Sequence, residues 1–217
     1  MRIVSQTLKR LLLLALAALP LAATADAVDT SVLDIQHQWA HITYQLPKEK
    51  QEAAFAQLDA EAAALAKQYP DRAEPKLWQA IVLSTEAGVR GGFGALSLVD
   101  QARDLLLAAE KIDPAAMNGS IYTTLGSLYY QVPGWPLSFG SNSKAQALLL
   151  KALKLNPDGI DPNYFYGDFL YHNGQKQEAL VALNKALIAP PRPDQPLADQ
   201  GRRKQIQDLI AKINNNG

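Results

Sequence analysis

Apolar residues recur at intervals of three and four along most of the chain, which is the spacing of amphipathic α-helices. The clearest instance is a triplet of small, large and small apolar positions that occurs three times, each time followed by a proline. The triplets are Ala102, Leu106 and Ala109 before Pro114; Ala145, Leu149 and Ala152 before Pro157; and Ala179, Leu183 and Ala186 before Pro191. Positions i, i+4 and i+7 share one helix face, and the alanines let a second helix approach closely. The pattern therefore predicts three helices of one design, each ended by a proline.

A second pattern precedes the triplets and predicts the partner helices. It places an aromatic residue, a leucine-glycine pair and another aromatic residue at fixed spacing, with a weaker copy further along. The residues are Tyr122, Leu125, Gly126 and Tyr129, then Tyr166, Gly167 and Leu170. Asn173-Gly174 follows where a turn between two helices is expected. Together these patterns resemble the tetratricopeptide repeat, a helix–turn–helix unit of about 34 residues, with repeats expected at about 73–116, 117–159 and 160–193.

Two of the three repeats are longer than the standard unit. Pro157 and Pro191 are 34 residues apart, whereas the two preceding intervals are 44 and 43 residues. The surplus is expected between the paired helices, in the stretches 88–94 and 132–140. Insertions of this kind in a solenoid map to loops on one face, which is often the binding face.

The flanking segments predict further helices that cap the repeats. Residues 32–46 and 49–69 form a helical pair separated by Pro47. A terminal capping helix is expected at about 197–213, with one apolar stripe (Ile206, Leu209, Ile210, Ile213) and a polar back (Arg202, Arg203, Lys204, Asp208). No stretch alternates apolar and polar residues as a strand does. The fold class expected is all-α, a tetratricopeptide-type helical solenoid with flanking capping helices, in a single domain over residues 26–217.

Residues 1–25 have the pattern of a cleavable secretory signal peptide. A basic start is followed by a run of leucine and alanine, a proline, and small residues at Ala23 and Ala25. The apolar run is about half the length needed to span a membrane. We therefore expect cleavage after Ala25, a periplasmic location, and a soluble mature protein without a membrane span.

Composition narrows the classes of function. Basic and acidic residues both number 21, so the formal net charge is zero, which argues against a broad nucleic-acid-binding surface. The chain has no cysteine, which excludes disulfides, thiolate metal sites, cysteine nucleophiles and lipid attachment at a cysteine.

Candidate chemical sites are few. His37 and His41 are four residues apart on one helix, one turn after Asp34, and form either a metal site or an ordinary helix face. The glycines of 88–94 lack the Lys-Ser/Thr pair and the preceding strand of a phosphate loop, so a flexible loop is expected there. No nucleophile–base constellation is visible. We expect no enzyme activity, no metal and no cofactor.

The second insertion holds the most prominent aromatic residues. Trp135 stands between Gly134 and Pro136, and Phe139 precedes Gly140. A tryptophan in a proline-restrained loop is suited to an interaction hot spot or to the wall of an apolar ligand site. The alternative is that Trp135 folds back as a plug over the solenoid.

The repeat resemblance implies a second surface, because the first helix of each tetratricopeptide unit lines the concave groove. Aligned in this way, the groove positions are Thr123, Ser127 and Tyr130 in the middle unit, and Asp161, Tyr164, Asp168 and Tyr171 in the last. They form either a site for a peptide or polar ligand, or an ordinary solvated helix face.

Three strings carry a closer resemblance: Gly134-Trp135-Pro136, residues 161–168 (DPNYFYGD) and Pro190-Pro191-Arg192-Pro193. They resemble the helical-repeat T component associated with TRAP-type transporters of bacteria. The resemblance implies a periplasmic protein that pairs with a solute-binding protein. The characterised type is a lipoprotein, so the absence of cysteine here departs from it.

The function expected from the sequence is a periplasmic scaffold that binds a protein partner through its groove and the Trp135 loop. The alternative is a small-molecule-binding accessory of a TRAP-type transport system, taking an apolar or organic-acid ligand, with Phe93, Trp135 and Phe139 lining an apolar cavity. The candidate binding residues are Phe93, Tyr130, Trp135, Phe139, Asp161, Tyr164, Asp168 and Tyr171.

Overall fold

A computed structural model describes residues 27–215, and within that range the chain forms nine α-helices and a single isolated bridge between Gly134 and Gly140. In chain order the helices are α1 (27–44), α2 (Lys48–Gln68), α3 (Ala73–Arg90), α4 (Gly94–Ile112), α5 (Ala116–Gln131), α6 (Asn142–Leu155), α7 (Ile160–His172), α8 (Lys176–Leu187) and α9 (Pro196–Asn215). The predicted signal peptide and its cleavage site lie outside the described residues. None of the described helices combines the length and the apolar character needed to cross a membrane.

The helices form a solenoid of stacked pairs. Each of the helices α2 to α9 packs most extensively against a neighbour in the chain, and α3, α5, α7 and α9 also contact one another in succession. These helices therefore form an inner layer, with α4, α6 and α8 behind it. The predicted all-α solenoid with flanking helices is confirmed.

The three predicted triplets form the repeated core. The nine alanine and leucine side chains of the three triplets, which lie in α4, α6 and α8, are all fully buried. The glycines of the partner helices explain the close packing. A methyl group at Gly126 would lie 2.7 Å from Cγ of Leu149, and one at Gly167 would lie 2.8 Å from Cγ of Leu183. The same glycine-to-leucine contact thus recurs in successive repeats.

The expected flexible loop at 88–94 is wrong. Helix α3 continues to Arg90 and α4 begins at Gly94, with Gly91 and Gly92 in the left-handed conformation between them. The surplus residues lengthen the helices to 18 and 19 residues, against 13 and 12 in α7 and α8. The second insertion is a loop, as predicted, and its two ends are joined by the Gly140 amide donating to the carbonyl of Pro133 at 2.9 Å.

The first and last helices meet. The His37 ring lies 2.6 Å from the carbonyl oxygen of Asp194, and the Gln195 amide donates to the Gln36 side chain at 2.5 Å. Gly201 of α9 lies against the ring of Tyr44, where an added methyl group would be 2.4 Å from ring carbon atoms. Helix α9 therefore closes the concave side of the solenoid against α1 in addition to capping its end.

Candidate functional site

The concave side of the solenoid forms a partly open cavity of about 700 Å³. Its walls come from α1, α3, α5, the start of α7, the linker between α8 and α9, and α9 itself. The contact between α1 and α9 bounds the cavity on the side that an open solenoid leaves to solvent. Ligand sites in proteins commonly measure about 300–1,000 Å³. The volume is therefore that of a small-molecule site.

One wall of the cavity is aromatic. Trp39 of α1 packs edge-on against Trp78 of α3 at 6.1 Å and against Tyr44 at 5.8 Å between ring centroids. The indole N–H of Trp39 donates to the hydroxyl of Thr85 at 2.9 Å, and that of Trp78 points at the sulfur of Met117 at 3.1 Å. These contacts hold the two indoles in fixed orientations.

A charged cluster forms another part of the cavity lining, where α7, the α8–α9 linker and α9 converge. Asp161 receives hydrogen bonds from Nη1 of Arg192 at 2.8 Å and from Nε of Arg202 at 2.7 Å. Arg192 also donates to Asp199 from Nε at 2.7 Å and from its backbone amide at 2.8 Å. The guanidinium of Arg202 stacks over the rings of Tyr164 and Phe165 at 4.5 and 4.9 Å. Each cation of the cluster is thus paired with a carboxylate.

The charges and the burial of this cluster shift the pKa values of the groups in and beside it. Burial alone raises the pKa of Asp161, but the guanidiniums of Arg202 and Arg192 outweigh it and hold that pKa below its ordinary value. Burial raises the pKa of Tyr164 and of Tyr44, partly offset by the nearby Arg202. At neutral pH Asp161 is therefore ionised and both phenols are protonated.

The expectation that Arg202 lies on the solvent-facing back of the last helix is wrong. Arg202 is 8% exposed and faces the cavity. Its burial is tolerated because Asp161 neutralises its charge and two aromatic rings stack against its planar guanidinium. Ile206 and Ile213 are buried as predicted.

A third wall carries hydroxyl groups from α3 and α5. The lining hydroxyls are Ser84, Thr85, Ser120, Thr123, Thr124 and Ser127. The hydroxyl oxygens of Ser84, Thr85 and Thr124 lie 2.6, 2.8 and 2.9 Å from the carbonyl oxygen of the residue four positions earlier. The wall is therefore polar without being charged.

The start of α5 has an unusual backbone beside this wall. Met117, Asn118 and Gly119 are three successive residues with positive φ (47°, 55° and 82°). A methyl group at Gly119 would lie 2.9 Å from Cβ of Leu155. Left-handed conformations are costly for residues other than glycine and are held in place by surrounding contacts. The turn places Met117 and Asn118 in the cavity lining.

The structure brings some of the predicted groove residues together and separates others. Asp161 and Tyr164 line the cavity, as do Thr123 and Ser127. Tyr130 and Asp168, from α5 and α7, instead bond to each other, the phenol donating to the carboxylate at 2.6 Å. Burial, reinforced by the Asp168 charge, raises the pKa of Tyr130 well above its ordinary value. Tyr130 and Asp168 are therefore joined to each other outside the cavity lining.

The remaining groove residue, Tyr171, also lies outside the cavity lining. The ammonium of Lys212, in α9, lies 5.2 Å from the centroid of the Tyr171 ring. Tyr171 therefore links α7 to α9 on a different part of the surface.

Phe93, Trp135 and Phe139, which the sequence predicts to line an apolar cavity, do not lie in the cavity described above. Phe139 packs against the ring of Tyr129 at 5.2 Å and beneath the guanidinium of Arg103 at 4.5 Å. Phe93 and Trp135 are 82% and 91% exposed, which also excludes Trp135 as a core plug.

The histidine pair on α1 has other partners. His37 contacts the carbonyl of Asp194, and His41 contacts the Gln45 side chain at 2.9 Å. In the part of the chain that the structure describes, no three or more histidine or carboxylate side chains are grouped so as to hold a metal ion. His37 thus contacts the linker between α8 and α9.

Sequence reasoning missed the residues that give the cavity its character, namely Trp39, Trp78, Arg192 and Arg202. Two signals were present: two of the chain's three tryptophans lie in predicted helices, and Arg192 stands in the Pro-Pro-Arg-Pro string. Neither shows that α1 returns to face α9. Comparisons with models of known protein families and with curated protein sequences find no match.

Proposed function

We propose that this protein is a non-catalytic binding protein that holds a small organic molecule in its concave cavity. The observation that carries the proposal is the cavity itself, which combines about 700 Å³ of space with aromatic, charged and hydroxyl walls. A few fixed polar groups within a mainly apolar concave surface are the usual composition of a ligand site. The charged residues of the site are engaged with one another, which suits recognition better than proton transfer.

Fluorescence of N-phenyl-1-naphthylamine, an uncharged apolar probe, tests the proposal. We expect saturable enhancement with the wild-type protein and its loss in Ser84→Phe, because Ser84 faces the cavity and a phenyl group there occupies ligand space. Ser97→Phe, an exposed position on α4, is the matched control and should bind as wild type does. Equal binding by both variants, or none by the wild type, would contradict the proposal.

A second candidate function is docking of a protein partner on the Trp135 loop. Trp135 and Leu137 are 91% and 60% exposed on the same short loop, and exposed tryptophans are frequent interaction hot spots. A pull-down from periplasmic extract should retain a partner with wild-type bait and lose it with Trp135→Ala. Ile188→Ala, at an exposed apolar position directly after α8, is the control. Retention by all three baits would contradict docking at this loop.

The resemblance to the T component of TRAP-type transporters suggests where both candidate functions would operate and with which partner. In that context the mature protein is periplasmic, the partner is a solute-binding protein, and the cavity serves an accessory role in transport. The presence of a solute-binding protein in the pull-down would support this assignment, and its absence would leave the cavity without a transport role.

A further inference from the structure

We infer that the ligand of the cavity is uncharged, with a flat apolar face and with hydroxyl or N–H groups along one edge. This inference rests on the proposed function, because it specifies the chemistry of the molecule that the same cavity holds. It is carried by the direction of the hydrogen bonds in the hydroxyl wall and by the balance of charges around it.

The hydroxyl wall presents hydrogen-bond acceptors to the cavity. The hydroxyl oxygens of Ser84, Thr85 and Thr124 each lie within 2.9 Å of a helix carbonyl oxygen. Ser120 and Ser127 do the same with the carbonyl three residues earlier, at 2.7 and 2.8 Å. A carbonyl has no proton to donate, so each hydroxyl must be the donor in these bonds. Each of these oxygens therefore has only its lone pairs left, with which it can accept a hydrogen bond from a ligand.

Thr85 shows this arrangement in use. Its hydroxyl donates to the carbonyl of Ile81 at 2.8 Å and accepts the indole N–H of Trp39 at 2.9 Å. Ser84 and Thr124 are half-buried neighbours on the same wall whose hydroxyls are committed in the same direction. A ligand O–H or N–H can therefore donate to the hydroxyl oxygens of Ser84 and Thr124, as the Trp39 indole N–H donates to that of Thr85.

The charges around the cavity offer no unpaired partner to an ionic ligand. In the described part of the chain, the charged lining residues are Asp158, Asp161, Arg192 and Arg202. Asp161 lies between the two guanidiniums, Arg192 also binds Asp199, and Asp158 lies 3.2 Å from Lys185. A carboxylate placed at the arginines would approach Asp161, and one placed at the hydroxyl wall would face the lone pairs of the hydroxyl oxygens. Both positions are unfavourable for an anion.

The aromatic wall determines the remaining property of the ligand. Trp39 and Trp78 are fixed by their own hydrogen bonds and contribute large apolar surfaces. Such surfaces favour a flat apolar face on the molecule that they contact. Together the three walls select for shape and for hydrogen-bond donors.

Competition against N-phenyl-1-naphthylamine with three matched probes tests the inference at pH 7. The probes are 2-naphthol, which has a donor; 2-methoxynaphthalene, in which the donor is methylated; and 2-naphthoate, which is an anion. We expect 2-naphthol to bind about three- to tenfold more tightly than 2-methoxynaphthalene, the range that one hydrogen bond supplies, and more tightly than 2-naphthoate. Equal binding of the naphthol and its methyl ether, or tightest binding of the naphthoate, overturns the inference while leaving the cavity a ligand site.

The double variant Ser84→Ala/Thr124→Val assigns the preference to the hydroxyl wall. It removes two acceptor oxygens and keeps the side chains close to their original size. The preference for 2-naphthol over its methyl ether should fall about threefold or more, whereas Ser97→Ala should keep the wild-type ratio. An unchanged ratio in the double variant overturns the inference. Failure of the fluorescent probe to bind the wild-type protein overturns the proposed function itself.

Discussion

At Gly126, α5 packs against α6 with no room for a side chain. We predict that Gly126→Ala lowers the free energy of unfolding by about 1–3 kcal/mol, because the new methyl group overlaps Leu149, its Cγ only 2.7 Å away. Gly88→Ala is the matched control, since Gly88 lies in α3 with no atom within 4 Å of an added methyl group. That substitution should stabilise the protein by about 0.5 kcal/mol, because alanine loses less backbone entropy in a helix. Denaturant unfolding measures both, and effects of the same sign would contradict the assigned packing.

Trp135, unlike Gly126, is a residue with few packing neighbours, so its replacement should cost little stability. Trp135→Ala should change the free energy of unfolding by no more than about 0.5 kcal/mol, because a side chain that is 91% exposed contributes little to the core. Thermal unfolding of the two proteins measures this. A loss of several degrees in Tm would show that the loop packs against the solenoid.

At the scale of elements, Asp161 ties α7 to the α8–α9 linker and to α9. Its pKa lies below the ordinary value of 3.8, so its stabilisation is present above that pH and is lost as the pH falls through the lowered pKa. We predict that wild-type stability falls as the pH drops below about 4, and that Asp161→Asn, about 2 kcal/mol less stable at pH 7, shows a smaller fall. Asp104→Asn, which alters an exposed pair with Arg103, should follow the wild-type profile. Parallel profiles for wild type and Asp161→Asn would refute the role of this carboxylate.

The contact between α1 and α9 depends on the absence of a side chain at Gly201. Gly201→Ala should separate the two helices, because the methyl group would lie 2.4 Å from ring carbons of Tyr44. Hydrogen exchange should then be faster in α1 and α9 and unchanged in α4. The double variant Gly201→Ala/Tyr44→Ala, which removes the ring, should recover part of the protection. Faster exchange throughout the chain would instead indicate general destabilisation.

At the scale of the whole molecule, the sequence predicts export and processing. Mass spectrometry of protein expressed from residues 1–217 should give a mature chain beginning at Asp26. Leu13→Arg, which places a charge in the middle of the apolar run, should leave the precursor uncleaved. A wild-type protein that keeps its first 25 residues would contradict the signal-peptide assignment.

The repeats could be predicted because each one is encoded by residues that lie close together in the sequence. Alanine, leucine and glycine at helical spacing determine which faces pack, and α4 to α8 follow from that spacing together with the prolines. The loop predicted at 88–94 is wrong because glycine is typical of loops but does not require one: Gly88 continues α3, and the turn needs only Gly91 and Gly92. The cavity could not be predicted, since Asp161, Arg192 and Arg202 are brought together by the return of α9 toward α1.

The meeting of α1 and α9 also bears on the order in which the chain folds. In an open array each repeat contacts only its neighbours, so folding can begin anywhere and spread. Here the contacts of His37 with Asp194 and of Tyr44 with Gln205 join residues 157 and 161 positions apart. Closing so long a segment in a disordered chain carries a large entropic cost, which falls once the helices between are already stacked. The contact between α1 and α9 therefore forms last. During synthesis from the N-terminus, the face of α1 that carries Tyr44 stays exposed to solvent until α9 has been synthesised.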